Sequence, residues 1–160
     1  MTLELKDSYA LCIYHMDETH REFIEFCNAL VAIGPEDAGF LERFDAFIEH
    51  TAAHFDQENR WMVAVNFPVA CHRAEHDRVL AVASEVRQRV EKGDLFLGRR
   101  LLEELPPWFD NHIDTMDTAL AFYLKKASTP RPKRSRKAEP QYLRLPIMVF
   151  PGKGSAAPRV

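Results

Sequence analysis

The sequence predicts an all-α protein: an up-down-up-down four-helix bundle with an N-terminal arm and a basic C-terminal tail. Three observations carry this. Along four segments the apolar residues recur at spacings of three and four, the period of a helix that buries one face. Short turn signals separate the segments, and short connections make successive helices antiparallel neighbours. No stretch alternates apolar and polar residues as a half-buried strand does, and no internal repeat of about 20 to 50 residues occurs.

The first segment runs from Asp17 to Val31, where Phe23, Cys27 and Leu30 form a stripe that also carries His20. "IGPED" breaks the pattern, and Asp37 is expected to cap the next helix. Phe40, Phe44, Phe47, Thr51, His54, Glu58 and Met62 form the second stripe. "NFP" at 66–68 is a turn, and Val69, His72, His76, Val79, Ala83, Val86 and Val90 form the third. "EKGD" at 91–94 ends that helix, with Asp94 placed to cap the fourth. The last helical region reaches about Lys126 and carries Phe109, His112, Ile113, Met116, Leu120 and Leu124. "LPPW" interrupts it. Proline lacks an N–H and its ring clashes with the preceding turn, so a helix over 95–105, a break and a restart near Pro107 or Trp108 are expected.

A chain of 160 residues, 46% apolar, makes one domain with a real core. No apolar run approaches the roughly 18 residues that a membrane span needs. The opening "MTLELKDSYALCIYHMDETH" is acidic early and has no basic start, unlike a secretory leader. Cys12, Cys27 and Cys71 are odd in number and form no Cys-x-x-Cys motif. They read as free thiols, and the chain is expected to be cytoplasmic and monomeric. The net charge of -3 conceals an asymmetry. Residues 128–160 carry eight Lys or Arg against one Glu, which leaves the first 127 residues at -10. The folded body is therefore expected at 1–127 and the tail at 128–160. "TPRPKRSRK" suits a solvated linker, or a contact with nucleic acid, a membrane surface or an acidic protein. "YLRLPIMVFPGKG" is too apolar for a plain linker and suits docking on a partner or on the body.

The inward stripes are not purely apolar. They hold His20, His54, Glu58, His72, His76 and His112, and Asp117 lies on a neighbouring stripe of the last helix. Each motif alone reads more readily as surface decoration than as a ligand set. Together, on four helices, they would leave a core of unpaired polar groups, each costing several kcal/mol, unless something binds them. Five imidazoles and two carboxylates, with no thiolate, suit two divalent ions such as iron, with manganese or zinc also possible. His112 and Asp117 are five residues apart, about 140 degrees on an ideal helix, so Asp117 must reach in from the flank or the helix must be locally distorted. His15 and His50 fall outside the set. His50 lies one turn before His54 and is expected at the surface or the rim.

Four motifs then make the family recognisable. "MDETHREFIEFCNAL", "HFDQENRWM", "FPVACHRAEH" and "WFDNHIDTMD" resemble, in order, the four helix motifs of the hemerythrins, over residues 10–125. The likeness is closest to single-domain bacterial hemerythrins. It implies a non-haem di-iron site with an oxo or hydroxo bridge. His72, His76 and His112 would bind one iron, His20 and His54 the other, and Glu58 and Asp117 would bridge both. The open position would lie beside His20 and His54 and take dioxygen, in a pocket lined by Phe55, Trp108, Phe109 and Ile113. Reversible dioxygen binding for storage, delivery or sensing is the implied function. The other class is a di-iron redox enzyme acting on nitric oxide, peroxide or ferrous iron. The nitrogen-rich ligand set favours the carrier over the enzyme. Three departures stand out: Thr19 where the family often has Gln, Phe109 where it often has Leu, and the Pro106–Pro107 pair in a normally continuous helix.

Overall fold

The computed structural model describes Leu3, Glu4 and residues 6–128. After a 3-10 turn at Asp7–Tyr9 come α1 (Tyr14–Ile33), α2 (Phe40–Ala64), α3 (Ala70–Glu91) and α4 (Leu95–His112). A π-helical turn, Ile113–Asp117, joins α4 to α5 (Thr118–Ser128), and these three make the fourth rod. No strand occurs among the described residues. Helix α1 packs on α2 and α4, and α3 packs on α2 and α4, so the rods close a four-helix bundle. None of these helices is long and apolar enough to cross a membrane. The expectations for 129–160 lie outside the described residues.

The stripes read from the sequence are the buried faces. Phe23, Phe40, Phe44, Phe47, Met62 and Leu120 are fully enclosed. Phe23 meets Phe47 at 5.2 Å between ring centres, and Phe40 meets Phe44 at 5.4 Å. Local chemistry sets most boundaries. Gly34, at φ 71, ends α1. Asn66, at φ 53, makes the α2–α3 turn, a conformation that asparagine tolerates better than most residues. The Asp94 carboxylate caps α4 by accepting from the Leu97 N–H at 3.2 Å.

Two boundaries differ from the sequence reading. Asp37 does not cap α2, which starts at Phe40 behind Gly39. Its carboxylate accepts from the Gly39 N–H at 2.7 Å and its carbonyl from the Phe40 N–H at 3.0 Å. Asp37 thus closes the turn before the helix, a local bond that competes with capping. The break at "LPPW" does not occur either. Helix α4 continues through Pro106 and Pro107 to His112. The two prolines have no N–H to give to the carbonyls four residues back, at a cost of about 3 kcal/mol or more. Leu105 and Phe109, buried on either side of the pair, contribute about 1.5 to 3 kcal/mol each by holding the helix on the core. Tertiary burial therefore offsets the local penalty.

Described residues of the N-terminal arm are tied to the bundle and to one another. The Leu3 N–H donates to Asn28 Oδ1 at 2.8 Å, and Asn28 Nδ2 donates to the Leu3 carbonyl at 2.9 Å. The Leu11 N–H donates to Asp17 Oδ1 at 2.7 Å. The buried Tyr9 hydroxyl donates to Asp110, which also pairs with Lys6 at 2.6 Å. The arm thereby lays the Tyr9 ring edge-on against Phe109, 5.6 Å between centres.

Gly98 marks the closest approach of α4 to its neighbours. An added Cβ would sit 2.8 Å from Val90 Cγ2 and 2.9 Å from Pro35 Cβ. Alanine raises helix propensity, but neither neighbour is the free end of a flexible chain. Gly98→Ala should lower stability by about 1 to 2 kcal/mol, measured as a lower urea midpoint with an unchanged slope.

Candidate metal centre

Seven polar side chains meet in the middle of the bundle, one or two from each rod: His20 on α1, His54 and Glu58 on α2, His72 and His76 on α3, His112 ending α4, and Asp117 ending the π turn. All are buried. The pairs four apart on α2 and α3 share a face by ordinary helical geometry. His112 and Asp117 share one because the backbone widens between them. The Thr118 N–H bonds the Ile113 carbonyl five residues back, and the Thr118 hydroxyl donates to the same carbonyl at 2.8 Å. In this wider turn, residues five apart stand about one turn apart, and single π turns often mark functional sites. Of the two routes left open by the sequence, local distortion is the one taken.

The distances divide the donors into two groups. Nε2 of His112 lies 3.3 Å from Nε2 of His72 and 3.2 Å from Nε2 of His76. Glu58 Oε2 stands 3.4 Å from His72 and 3.2 Å from His76, and Asp117 Oδ1 stands 3.2 Å from both His72 and His112. The other oxygens turn the opposite way. Glu58 Oε1 approaches His54 Nε2 at 3.2 Å, and Asp117 Oδ2 approaches His20 Nε2 at 3.1 Å. Both carboxylates therefore span from a three-histidine group to a two-histidine group. Glu58 with His72, His76 and His112, and Glu58 with His20 and His54, are sets whose donor atoms all lie within 4.8 Å of one another.

This donor set fits divalent cations. A neutral imidazole nitrogen either donates one hydrogen bond or accepts one, so His112 Nε2 cannot satisfy His72, His76 and Asp117 together. Both nitrogens of His20, Glu58 Oε2 and both Asp117 oxygens are buried without a hydrogen-bond partner among the described residues. A cation accepts such lone pairs and removes the cost of burying them unpaired. The charges are mutually dependent. Burial and the neighbouring Asp117 charge push the Glu58 carboxyl up, but His54 and His72 outweigh them and hold it well below its ordinary range. Burial opposes Asp117 likewise, and His112, His20 and His72 hold it low. Burial pushes His72 down, yet the two carboxylates bring it up to about 9. For His76 burial prevails and lowers it.

Aromatic rings enclose the cluster. Phe55 lies flat on His76 at 3.9 Å, Trp108 stacks on His112 at 4.8 Å, and Phe109 meets His20 edge-on at 5.6 Å. Ile113 is fully buried in the π turn. Of the four residues read from the sequence as one pocket, Phe55 also meets His54 at 5.5 Å, so it touches both histidine groups, while Trp108 covers His112 and Phe109 stands by His20. The sequence reading passed over Phe23 as a wall residue. It stacks on Phe109 at 4.3 Å, and its place three residues after His20 was the available signal. His50 stays outside both donor sets. Its Nδ1 is 3.7 Å from Glu22, and its ring lies 4.9 Å from Phe26. His15 is exposed.

Residues 12–122 match the family model described as "Hemerythrin HHE cation binding domain". The chain belongs to the hemerythrin family. It is 48% identical over 109 residues to a bacteriohemerythrin of Ralstonia nicotianae, covering 68% of this chain and 78% of that protein. A bacteriohemerythrin of Methylococcus capsulatus is 24% identical over 104 residues, or 63% of this chain and 79% of that one. The matched span of the hemerythrin domain includes all seven residues of this cluster.

Metal should stabilise this hemerythrin fold by relieving the unpaired core donors. Adding ferrous iron anaerobically, at about 100 times its dissociation constant, should contribute about 2.7 kcal/mol. The expected readout is a rise in melting temperature on the order of 10 °C over the chelated chain.

Proposed function

We propose that this hemerythrin binds dioxygen reversibly at a non-haem di-iron centre held by His20, His54, Glu58, His72, His76, His112 and Asp117. The observation that carries the reading is the division of each carboxylate between the two histidine groups. Glu58 and Asp117 each present one oxygen to either side, the arrangement of bridging ligands for a pair of ions. A pair of ferrous ions, when bound, supplies the two electrons that dioxygen takes up and later returns.

The chain's own residues set the remaining terms. His72, His76 and His112 supply three nitrogens on one side. His20 and His54 supply two on the other, so the protein donates less there and leaves room for an external ligand. Only two carboxylates serve the pair. An imidazole-rich, anion-poor set gives weak support to higher iron oxidation states, which favours a carrier over an oxidising enzyme. Phe109 and Phe23, beside His20, present an apolar wall that hinders water and anions more than dioxygen. The proposed ligands all lie within 1–127, and residues 128–160 are proposed as a tail that meets an acidic or protein partner.

The decisive experiment exposes an anaerobic ferrous sample to oxygen, then purges it while the optical spectrum is followed. A charge-transfer band that forms and disappears in step with oxygen supports the carrier. Irreversible oxidation with turnover of added nitric oxide or peroxide would show a redox enzyme instead.

The ligand assignment has its own check in metal analysis of purified variants. His72→Ala and His112→Ala should each lose metal and melt lower, because the neighbouring donors lose their common partner. His50→Ala should do neither, and equal loss in all three would overturn the assignment.

Phe109→Ala should open a cavity beside His20. Stopped-flow mixing should show azide entering the ferric form several-fold faster, with faster autoxidation of the oxygenated form. Phe109→Leu should change both rates less. Unchanged rates in Phe109→Ala would remove the ring from the control of access.

A further inference from the structure

Metal-binding histidines are commonly oriented by a hydrogen bond from the ring nitrogen that faces away from the metal. Here Nδ1 of His20, His54, His72, His76 and His112 finds no such partner among the described residues. Ring packing is then what sets the imidazole planes. For His112 the packing partner is Trp108, one turn earlier on α4, with the rings 26 degrees from parallel.

Trp108 is itself held from another helix. Its indole Nε1 donates to Glu75 Oε1 at 2.6 Å. Glu75 lies on α3 between His72 and His76, so this bond ties the two helices that carry the three-histidine group. The carboxylate is fixed in turn by Arg78, whose Nε donates to Oε2 at 2.9 Å and whose terminal nitrogen donates to Oε1 at 2.5 Å. A hydrogen bond to a charged acceptor is roughly twice as strong as a neutral one, and the arginine fork fixes its direction.

We propose that Glu75 is a positioning residue of the metal centre, which sets the plane of the His112 imidazole by anchoring the Trp108 indole. The inference rests on the reading of His112 as a ligand. Glu75 hydrogen-bonds no metal-binding atom and reaches His112 through the stacked ring. A plain clamp between α3 and α4 would change stability without changing the geometry at the metal. A positioning residue changes the geometry at the metal.

The test uses the full chain loaded with cobalt(II), following the visible ligand-field bands and the rate of cobalt loss to a chelator. Glu75→Gln keeps an acceptor oxygen for the indole and should stay close to wild type. Glu75→Leu removes the acceptor and should shift the bands and release cobalt about 10-fold faster, as for loss of other outer partners of metal ligands. Trp108→Phe keeps a ring over His112 but loses the N–H. It should match Glu75→Leu, and the double variant should be no worse than either. Unshifted bands in both Glu75→Leu and Trp108→Phe, even with a lowered melting temperature, would overturn the proposal. Trp108→Phe alone decides it where Glu75→Leu fails to fold. His112→Ala separates the two readings. Unchanged bands there would overturn the ligand assignment itself, whereas altered bands there with unshifted Glu75→Leu would overturn only the role of Glu75.

Discussion

Two carboxylates buried among five imidazoles make the constraint on which the rest of this bundle depends. Without partners, each buried anion would cost several kcal/mol, a large share of the 5 to 15 kcal/mol by which a domain of this size is stable. Each oxygen of Glu58 and Asp117 stands 3.1 to 3.4 Å from an imidazole nitrogen, an ion-pair distance that offsets part of this cost. That arrangement needs side chains from all four rods at once. The helices are therefore fixed in register and rotation by a polar cluster as well as by the phenylalanine core above it.

The fourth rod carries most of the irregular backbone. It passes through two prolines, changes to a π turn and resumes as α5. Each irregularity opposes regular helix, and each brackets a functional side chain. The prolines precede Trp108 and Phe109, the rings that cover His112 and His20. The π turn delivers Asp117 onto the face of His112. Irregular backbone is thus concentrated where the site demands particular directions, while α2 and α3 place their paired donors by plain i, i+4 geometry and α1 supplies His20 alone.

The N-terminal arm extends the same logic outward. Asn28, next to Cys27 on α1, holds the Leu3 backbone by two hydrogen bonds. Tyr9 then lies against Phe109, which lies against Phe23 and His20. The result is a continuous aromatic layer from the arm to the two-histidine group. Trp108 continues this layer from Phe23 and Phe109 to His112, where the Glu75–Arg78 pair holds it, and Phe55 lies on His76. The two groups differ in donor number, and this asymmetry underlies the proposed function.

The sequence by itself determined whatever depends on near neighbours in the chain. The 3-4 stripes, the Asp94 cap, the "NFP" and "EKGD" turns and the paired His54–Glu58 and His72–His76 all follow from local geometry. The joint presence of His20 and His112 on the remaining stripes made a metal centre legible before any coordinates. Only the tertiary structure decided the rest. Burial of Leu105 and Phe109 carries α4 through prolines that break a helix in isolation. The π turn answers the demand that Asp117 reach both histidine groups, a demand set by the other three rods. The division of each carboxylate between the groups, and the bond from Trp108 to Glu75 across 33 residues, join partners that no local pattern relates. Spacing along one helix fixes which face a residue occupies, but only the packing of four helices fixes what that face meets.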